Sequence, residues 1–103
     1  MIRKRAGGFG ARGGLQDYEE AILSYRRAAD QGDARAQYNL GEMYMLGRGV
    51  PQDYTQAYVW VALAAAHGDE KATGIRDYLE SVMTPDQIAE AQQLAREWKP
   101  KGK

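Results

Sequence analysis

Residues 16–36 repeat themselves 36 positions downstream. Gln16, Asp17, Tyr18, Ala21, Ala28, Ala29, Gly32, Asp33 and Ala36 each meet the same residue in 52–72, nine identities in 21 positions. Arg12-Gly13 against Arg48-Gly49 carries the match upstream. A period of this length marks stacked helical units, each too small to bury its own apolar face and stable only against its neighbours. It restricts the 103-residue chain to a helical array.

Caps and periodicity place the helices. Asp17 with Glu20, and Asp53 with Gln56, have capping-box spacing, in which a side-chain oxygen takes an unpaired N–H and an acceptor three residues on returns the bond. From Tyr18, the residues Ala21, Ile22, Tyr25, Ala28 and Ala29 recur at the spacing of one helix face. Gly32 ends that helix, and Asp33 caps a second that carries Ala36, Leu40, Met43, Tyr44 and Gly47. The third, over 54–67 and closed by Gly68, is apolar on nearly every side and so is expected to be the most buried. Asp69 starts a fourth, with Ala72, Ile75, Leu79 and Val82 inward. Thr84-Pro85-Asp86-Gln87 starts the fifth, joining a capping box to a proline at the first helical position. Its stripe is Ile88, Ala91, Leu94, Ala95 and Trp98, with Pro100 beyond the end. No stretch alternates as a strand would. The expectation is an all-α single domain, a short α-solenoid of antiparallel pairs with about five helices.

The stretch AQYNLGEMYMLGRGVPQDYTQAYVWVALAAAHGD, from Ala36, resembles a Sel-one-like repeat, the relative of the tetratricopeptide repeat with a longer turn between its helices. The marks are Ala36, Leu40-Gly41, Tyr44, Gly47, the Gly49-Val50-Pro51 turn, then Asp53, Ala57, Trp60 and Ala64-Ala65. MTPDQIAEAQQLAREW, from Met83, is similar to the closing helix of bacterial members. This register divides the chain into a flexible, basic, Gly-rich segment over 1–16, left from a preceding turn, and the second helix of an incomplete repeat over 17–32. A complete repeat over 33–68, a degenerate terminal repeat with its closing helix over 69–98, and a basic tail over 99–103 follow. In the terminal unit Arg76-Asp77 stands where Leu-Gly is expected, which suits the polar cap such arrays need.

The resemblance implies a non-enzymatic adaptor or scaffold for a protein or peptide partner. By analogy with tetratricopeptide stacks, Arg35, Tyr38, Asn39, Glu42 and Met45 line a concave surface, joined by Lys71, Ile75 and Tyr78 from the next equivalent helix. Rings supply contact area there, and Arg and Asn can hold backbone or carboxylate; the plainer reading is an ordinary amphipathic exterior. A second hypothesis is a capping or self-associating unit, a homodimer through the face around Ile22 and Tyr25 left bare by the missing helix. The third is weak nucleic-acid binding through basic tails. All fourteen acids lie between Asp17 and Glu97 with only seven bases, while Arg3, Lys4, Arg5, Arg12, Lys99, Lys101 and Lys103 flank them. Two short clusters of this kind are weak evidence for a nucleic-acid surface, and solvated tails explain them as well.

Catalysis finds little support. The chain has no cysteine, which excludes thiolate chemistry, disulfides and cysteine-bound zinc. The one histidine, His67, falls at a helix C-terminus, and Ser24 opens Ser-Tyr-Arg-Arg rather than a Ser-x-x-Lys arrangement. Gly8-Phe9-Gly10-Ala11-Arg12-Gly13 fits a dinucleotide fingerprint in letters only, because no strand can precede it. The pairs Glu19-Glu20 and Asp69-Glu70 are read as helix-start acids that suit the dipole. No enzyme, cofactor or metal is expected. No apolar run approaches a membrane span, and the basic start lacks the apolar stretch of a secretory signal. The expected location is cytoplasmic as written, or periplasmic or secreted if the chain belongs to a longer precursor.

Overall fold

The computed structural model describes residues 6–101. Five helices follow one another: α1 (Ala6–Asp30), α2 (Ala34–Leu46), α3 (Tyr54–Ala66), α4 (Glu70–Val82) and α5 (Pro85–Glu97). Among the described residues there is no strand, and the fold is an all-α helical repeat.

Four of the five starts follow from their caps. Asp33 accepts the Ala36 N–H at 2.8 Å, Asp53 that of Gln56 at 3.0 Å and Asp69 that of Ala72 at 3.0 Å. Thr84 and Gln87 form a reciprocal box, Gln87 N–H to Thr84 Oγ1 at 3.1 Å and Thr84 N–H to Gln87 Oε1 at 3.0 Å. Each such cap contributes about 1 kcal/mol by satisfying donors that the helix leaves unpaired.

The first helix departs from the sequence expectation. It begins at Ala6, so residues 6–16 are helix rather than a glycine-rich flexible segment, and Asp17, Glu19 and Glu20 lie inside α1 rather than at its start. Gly7, Gly8, Gly10, Gly13 and Gly14 disfavour helix here. No proline interrupts them, however, and a helix already anchored over its second half gains one hydrogen bond for each residue added. The fingerprint-like glycines are therefore helical too. Because α1 has 25 residues and α2 only 13, α1 runs past the far end of its antiparallel neighbour. Arg3, Lys4, Arg5 and Lys103 lie outside the described residues.

Helix α3 is central, as its all-round apolar surface requires. On one side Ile22 and Ala29 of α1, Ala36, Leu40 and Met43 of α2, and Trp60 of α3 form one core cluster. On the other, Ala57, Val61 and Ala64 of α3 meet Ala72 and Leu79 of α4 and Ala91 of α5. Small residues bring the axes together. A Cβ on Gly41 would sit 2.6 Å from Val61 Cγ1 and 3.0 Å from the Ala57 carbonyl oxygen, so only glycine permits this approach of α2 to α3. The long α2–α3 turn is pressed against α1 in the same way. Gly49 has φ +76°, and a Cβ there would lie 2.8 Å from the Tyr18 carbonyl oxygen.

Ile22 was expected on an uncovered face, yet it is only 9% exposed and belongs to the first cluster. The apolar residue that α1 leaves in solvent is its neighbour Leu23, 67% exposed.

The C-terminal end closes in an unexpected direction. Helix α5 packs on α3, and the Tyr58 hydroxyl links three helices, donating to Glu80 Oε2 at 2.6 Å and accepting from Gln92 Nε2 at 3.3 Å. Beyond α5 the chain turns back across α3. Trp98 meets Trp60 edge-on, with ring centres 6.2 Å apart. The Lys101 N–H then donates to the Asp30 carbonyl at 2.7 Å, and its ammonium lies 3.6 Å from the Asp30 carboxylate. Residues 98–101 are therefore docked on the end of α1 rather than forming a free basic tail.

Candidate functional site

Helical spacing decides which α2 side chains are available. Ala36, Leu40, Gly41 and Met43 are buried, which turns Arg35, Tyr38, Asn39, Glu42 and Leu46 toward the other face. Two cavities lie along that face. One, of about 390 Å³, is bounded by Arg35, Tyr38 and Asn39 of α2 and by Asp69, Glu70 and Lys71 at the start of α4. The other, of about 300 Å³, lies between α1 and α2, where Tyr18 and Tyr25 face Asn39, Glu42 and Leu46. Asn39 borders both. The two cavities share Asn39, one on the α4 side of α2 and the other on the α1 side, and together give this face of α2 a broken trough.

The structure brings Arg35, Tyr38, Asn39, Glu42 and Lys71 onto this trough. It leaves three expected residues outside it, of which Ile75 packs, partly buried, against the cluster around α3 and α4. Met45 is half-buried and packs against the cluster around α3 and α4, while Tyr78, 50% exposed, borders neither cavity. Tyr25 is half-buried and lines the α1–α2 cavity, with Ile22 beneath it in the core.

The trough also recruits residues that helix periodicity alone had not marked: Asp17, Tyr18, Leu46 and Arg48. Tyr18 and Leu46 are exposed apolar side chains, at 38% and 45%. The Arg48 guanidinium stands 5.4 Å from the centre of the Tyr18 ring, a cation–π contact that holds one end of the cavity. The available signal was the α2–α3 turn: once Gly49 is pressed on Tyr18, the adjacent Arg48 and Leu46 must lie beside α1.

Electrostatically the trough is mixed. Burial, then the negative charges of Glu42 and Asp69, raise the Tyr38 hydroxyl above its ordinary pKa of 10.0. Arg35 and Lys71 are exposed at the N-terminal ends of α2 and α4. Arg26 plays a different part. Its guanidinium is packed over the Tyr44 and Trp60 rings, 5.9 and 5.8 Å from their centres, and donates to the Tyr44 hydroxyl, so it is a structural cation.

The two residues weighed for catalysis lie on separate elements. His67 is exposed after the last turn of α3, with Nδ1 2.9 Å from the Leu63 carbonyl oxygen, and Ser24 is exposed on α1. Among the described residues, no group of three or more His, Cys, Asp or Glu is arranged to hold a metal ion, and no helix is long and apolar enough to cross a membrane.

The Sel1 repeat model matches twice, over residues 6–33 and 34–69, together more than half of the chain. The chain belongs to the Sel1 repeat family. Sel1 repeats are generally protein–protein interaction modules and typically non-enzymatic. Curated relatives include the alginate biosynthesis protein AlgK of Azotobacter vinelandii, 31% identical in an alignment of 84 residues that covers 76% of this chain and 18% of that protein. The chitin synthase regulator SKT5 of Malassezia restricta is 41% identical over 58 residues, 56% of this chain and 4% of the relative. The DAP3-binding cell death enhancer 1 of Rattus norvegicus is 44% identical over 41 residues, 40% of this chain and 8% of the relative. The chain thus spans less than a fifth of the length of these relatives.

Proposed function

We propose that this protein is a non-enzymatic adaptor whose α2 trough holds an extended segment of a partner protein. The observation that carries the reading is the convergence of Arg35, Tyr38, Asn39 and Lys71 on one cavity, continued past Asn39 into a second. A rigid helix with rings, an amide and cations on one face suits a peptide backbone. Rings add area at low entropic cost, and an amide can pair with backbone donors and acceptors. The relative named for binding DAP3 is in keeping with a protein partner. The trough is short, so the expected affinity is modest. The test is affinity capture from lysate by the wild-type protein, compared with Tyr38→Ala and Arg35→Glu. Proteins retained by wild type and lost by both variants, with helicity unchanged, support the reading; identical capture by all three overturns it.

A second reading is self-association through the outer side of α1, favoured by Leu23 at 67% exposure. It predicts a light-scattering mass that rises with concentration and returns to the monomer value in Leu23→Asp.

A further inference from the structure

Helices α3 and α5 meet along matched strips. Gln56, Val59 and Trp60 of α3 have the same spacing as Leu94, Glu97 and Trp98 at the end of α5 and its cap, and that spacing puts each trio on one helix face. Together the six line a third cavity, of about 310 Å³, at the small end of the range for ligand sites, which begins near about 300 Å³. Two of its walls are indoles. The Trp60 and Trp98 rings are inclined at 74°, with centres 6.2 Å apart.

Trp98 is fixed from both directions along the chain. Its N–H donates to the Ala95 carbonyl at 3.3 Å, and beyond it the Lys101 N–H donates to the Asp30 carbonyl at 2.7 Å. The docked segment therefore holds the second ring against the first without help from a ligand, which lowers the cost of binding one.

The charge of this cavity differs from that of the other two. Those carry both signs: Arg35 and Lys71 with Asp69 and Glu70 in one, Arg48 with Asp17 and Glu42 in the other. Among the described residues that line the third, Glu97 alone is charged. Its Oε2 accepts from Gln93 Nε2 at 3.0 Å, one turn earlier, so the carboxylate is held in place. Arg26 packs over the Trp60 ring, and Arg96 and Lys99 stand close to Glu97 in the chain, but none of these three lines the cavity.

Indole faces are electronegative and attract cations, and the carboxylate adds a full negative charge. Val59, Leu94 and the rings offer no hydrogen-bond acceptor. A primary ammonium brings three N–H donors that such walls would leave unpaired, whereas a quaternary ammonium brings none and presents methyl groups to them. We propose that the corner between α3 and α5 binds a quaternary ammonium group, seated between the Trp60 and Trp98 indoles with Glu97 as its counter-ion. The site shares no lining residue with the α2 trough and does not rest on the adaptor reading.

The chain has two tryptophans and both line this cavity, so the indole emission of the full chain reports on it directly. The probes are choline, its uncharged isostere neohexanol with carbon in place of nitrogen, and the acetylated methylamide of trimethyllysine, each titrated at constant ionic strength. Choline should give a saturable change in emission, with neohexanol binding about ten-fold more weakly. Glu97→Gln should weaken choline about five-fold and leave neohexanol unchanged, a split that general loosening of α5 would not produce. Trp98→Leu, followed by Trp60 emission, should abolish the preference for choline over neohexanol. Tighter binding of the trimethyllysine compound than of choline assigns the group to a modified protein, and the reverse order to a free small molecule; either supports the site. Equal binding of choline and neohexanol shows an apolar cavity only and overturns the proposal. Choline binding untouched by Glu97→Gln, or no saturable change with either quaternary probe, overturns it as well.

Discussion

Helices α2 and α4 hold equivalent places 36 residues apart, yet they pack differently. In α2, Leu40 is fully buried and Gly41 lets the helix settle onto α3. In α4 the same two positions are Arg76 and Asp77, with side chains 35% and 68% exposed and their charged ends 3.9 Å apart. The consequence falls on the following helix. α3 packs closely against α2, whereas α5 leaves α4 and packs on α3. Both helices keep their buried alanine, Ala36 or Ala72, and a large apolar residue two turns further on, Met43 or Leu79. The two units therefore differ at two adjacent positions: Leu-Gly in α2 offers a surface on which α3 docks closely, and Arg-Asp in α4 stands in place of that surface.

Substitutions at matched positions test that contrast. Leu40→Ala should cost about 3 kcal/mol, through lost burial and the cavity left behind, whereas Arg76→Ala should change stability by less than about 0.5 kcal/mol. Urea denaturation of both variants measures the difference. Equal losses would mean that α4 depends on its Arg-Asp face as much as α2 does on Leu-Gly. Gly41→Val comes next, at about 2 kcal/mol, because the added carbons meet Val61 and the Ala57 carbonyl. The matched Asp77→Val should be tolerated, costing only about the small difference in helix propensity; thermal melts of the two variants give the comparison.

The smaller test concerns the bond that holds α5 in its place. Tyr58→Phe removes the hydroxyl between Glu80 and Gln92 and should cost about 1 kcal/mol. It should also change the alkaline limb of stability. Burial first, and then the hydrogen bond to Glu80, raise the Tyr58 hydroxyl above 10.0. The native state thus keeps a proton that the unfolded chain releases, and this contribution is complete below about pH 10 and declines as pH rises above it. Melting temperatures across that range should fall less steeply in Tyr58→Phe than in wild type; parallel curves would place the origin of alkaline loss elsewhere.

Local chemistry was legible residue by residue. The Asp33, Asp53, Asp69 and Thr84 caps stand where a free N–H needed an oxygen. The all-round apolar surface of 54–66 marked α3 as the helix that others must cover. The site was legible in part, because Arg35, Tyr38, Asn39 and Glu42 share a face by spacing alone. Its α1 wall was not, since Tyr18 was read as an inward residue of a helix starting at Asp17, and its neighbours Leu46 and Arg48 come beside it only through the folded turn.

The sequence by itself determined the helical repeat, the four capped starts and the α2 face, because each depends on residues a few positions apart and on hydrogen bonds within one turn. Tertiary structure alone decided that Ile22 is buried and Leu23 is not, that α5 docks on α3, that Trp98 returns to Trp60, and that Lys101 pairs with Asp30. Those outcomes depend on how helix axes cross and how closely they approach, quantities set jointly by side chains distant in the chain and carried by no single stretch of it.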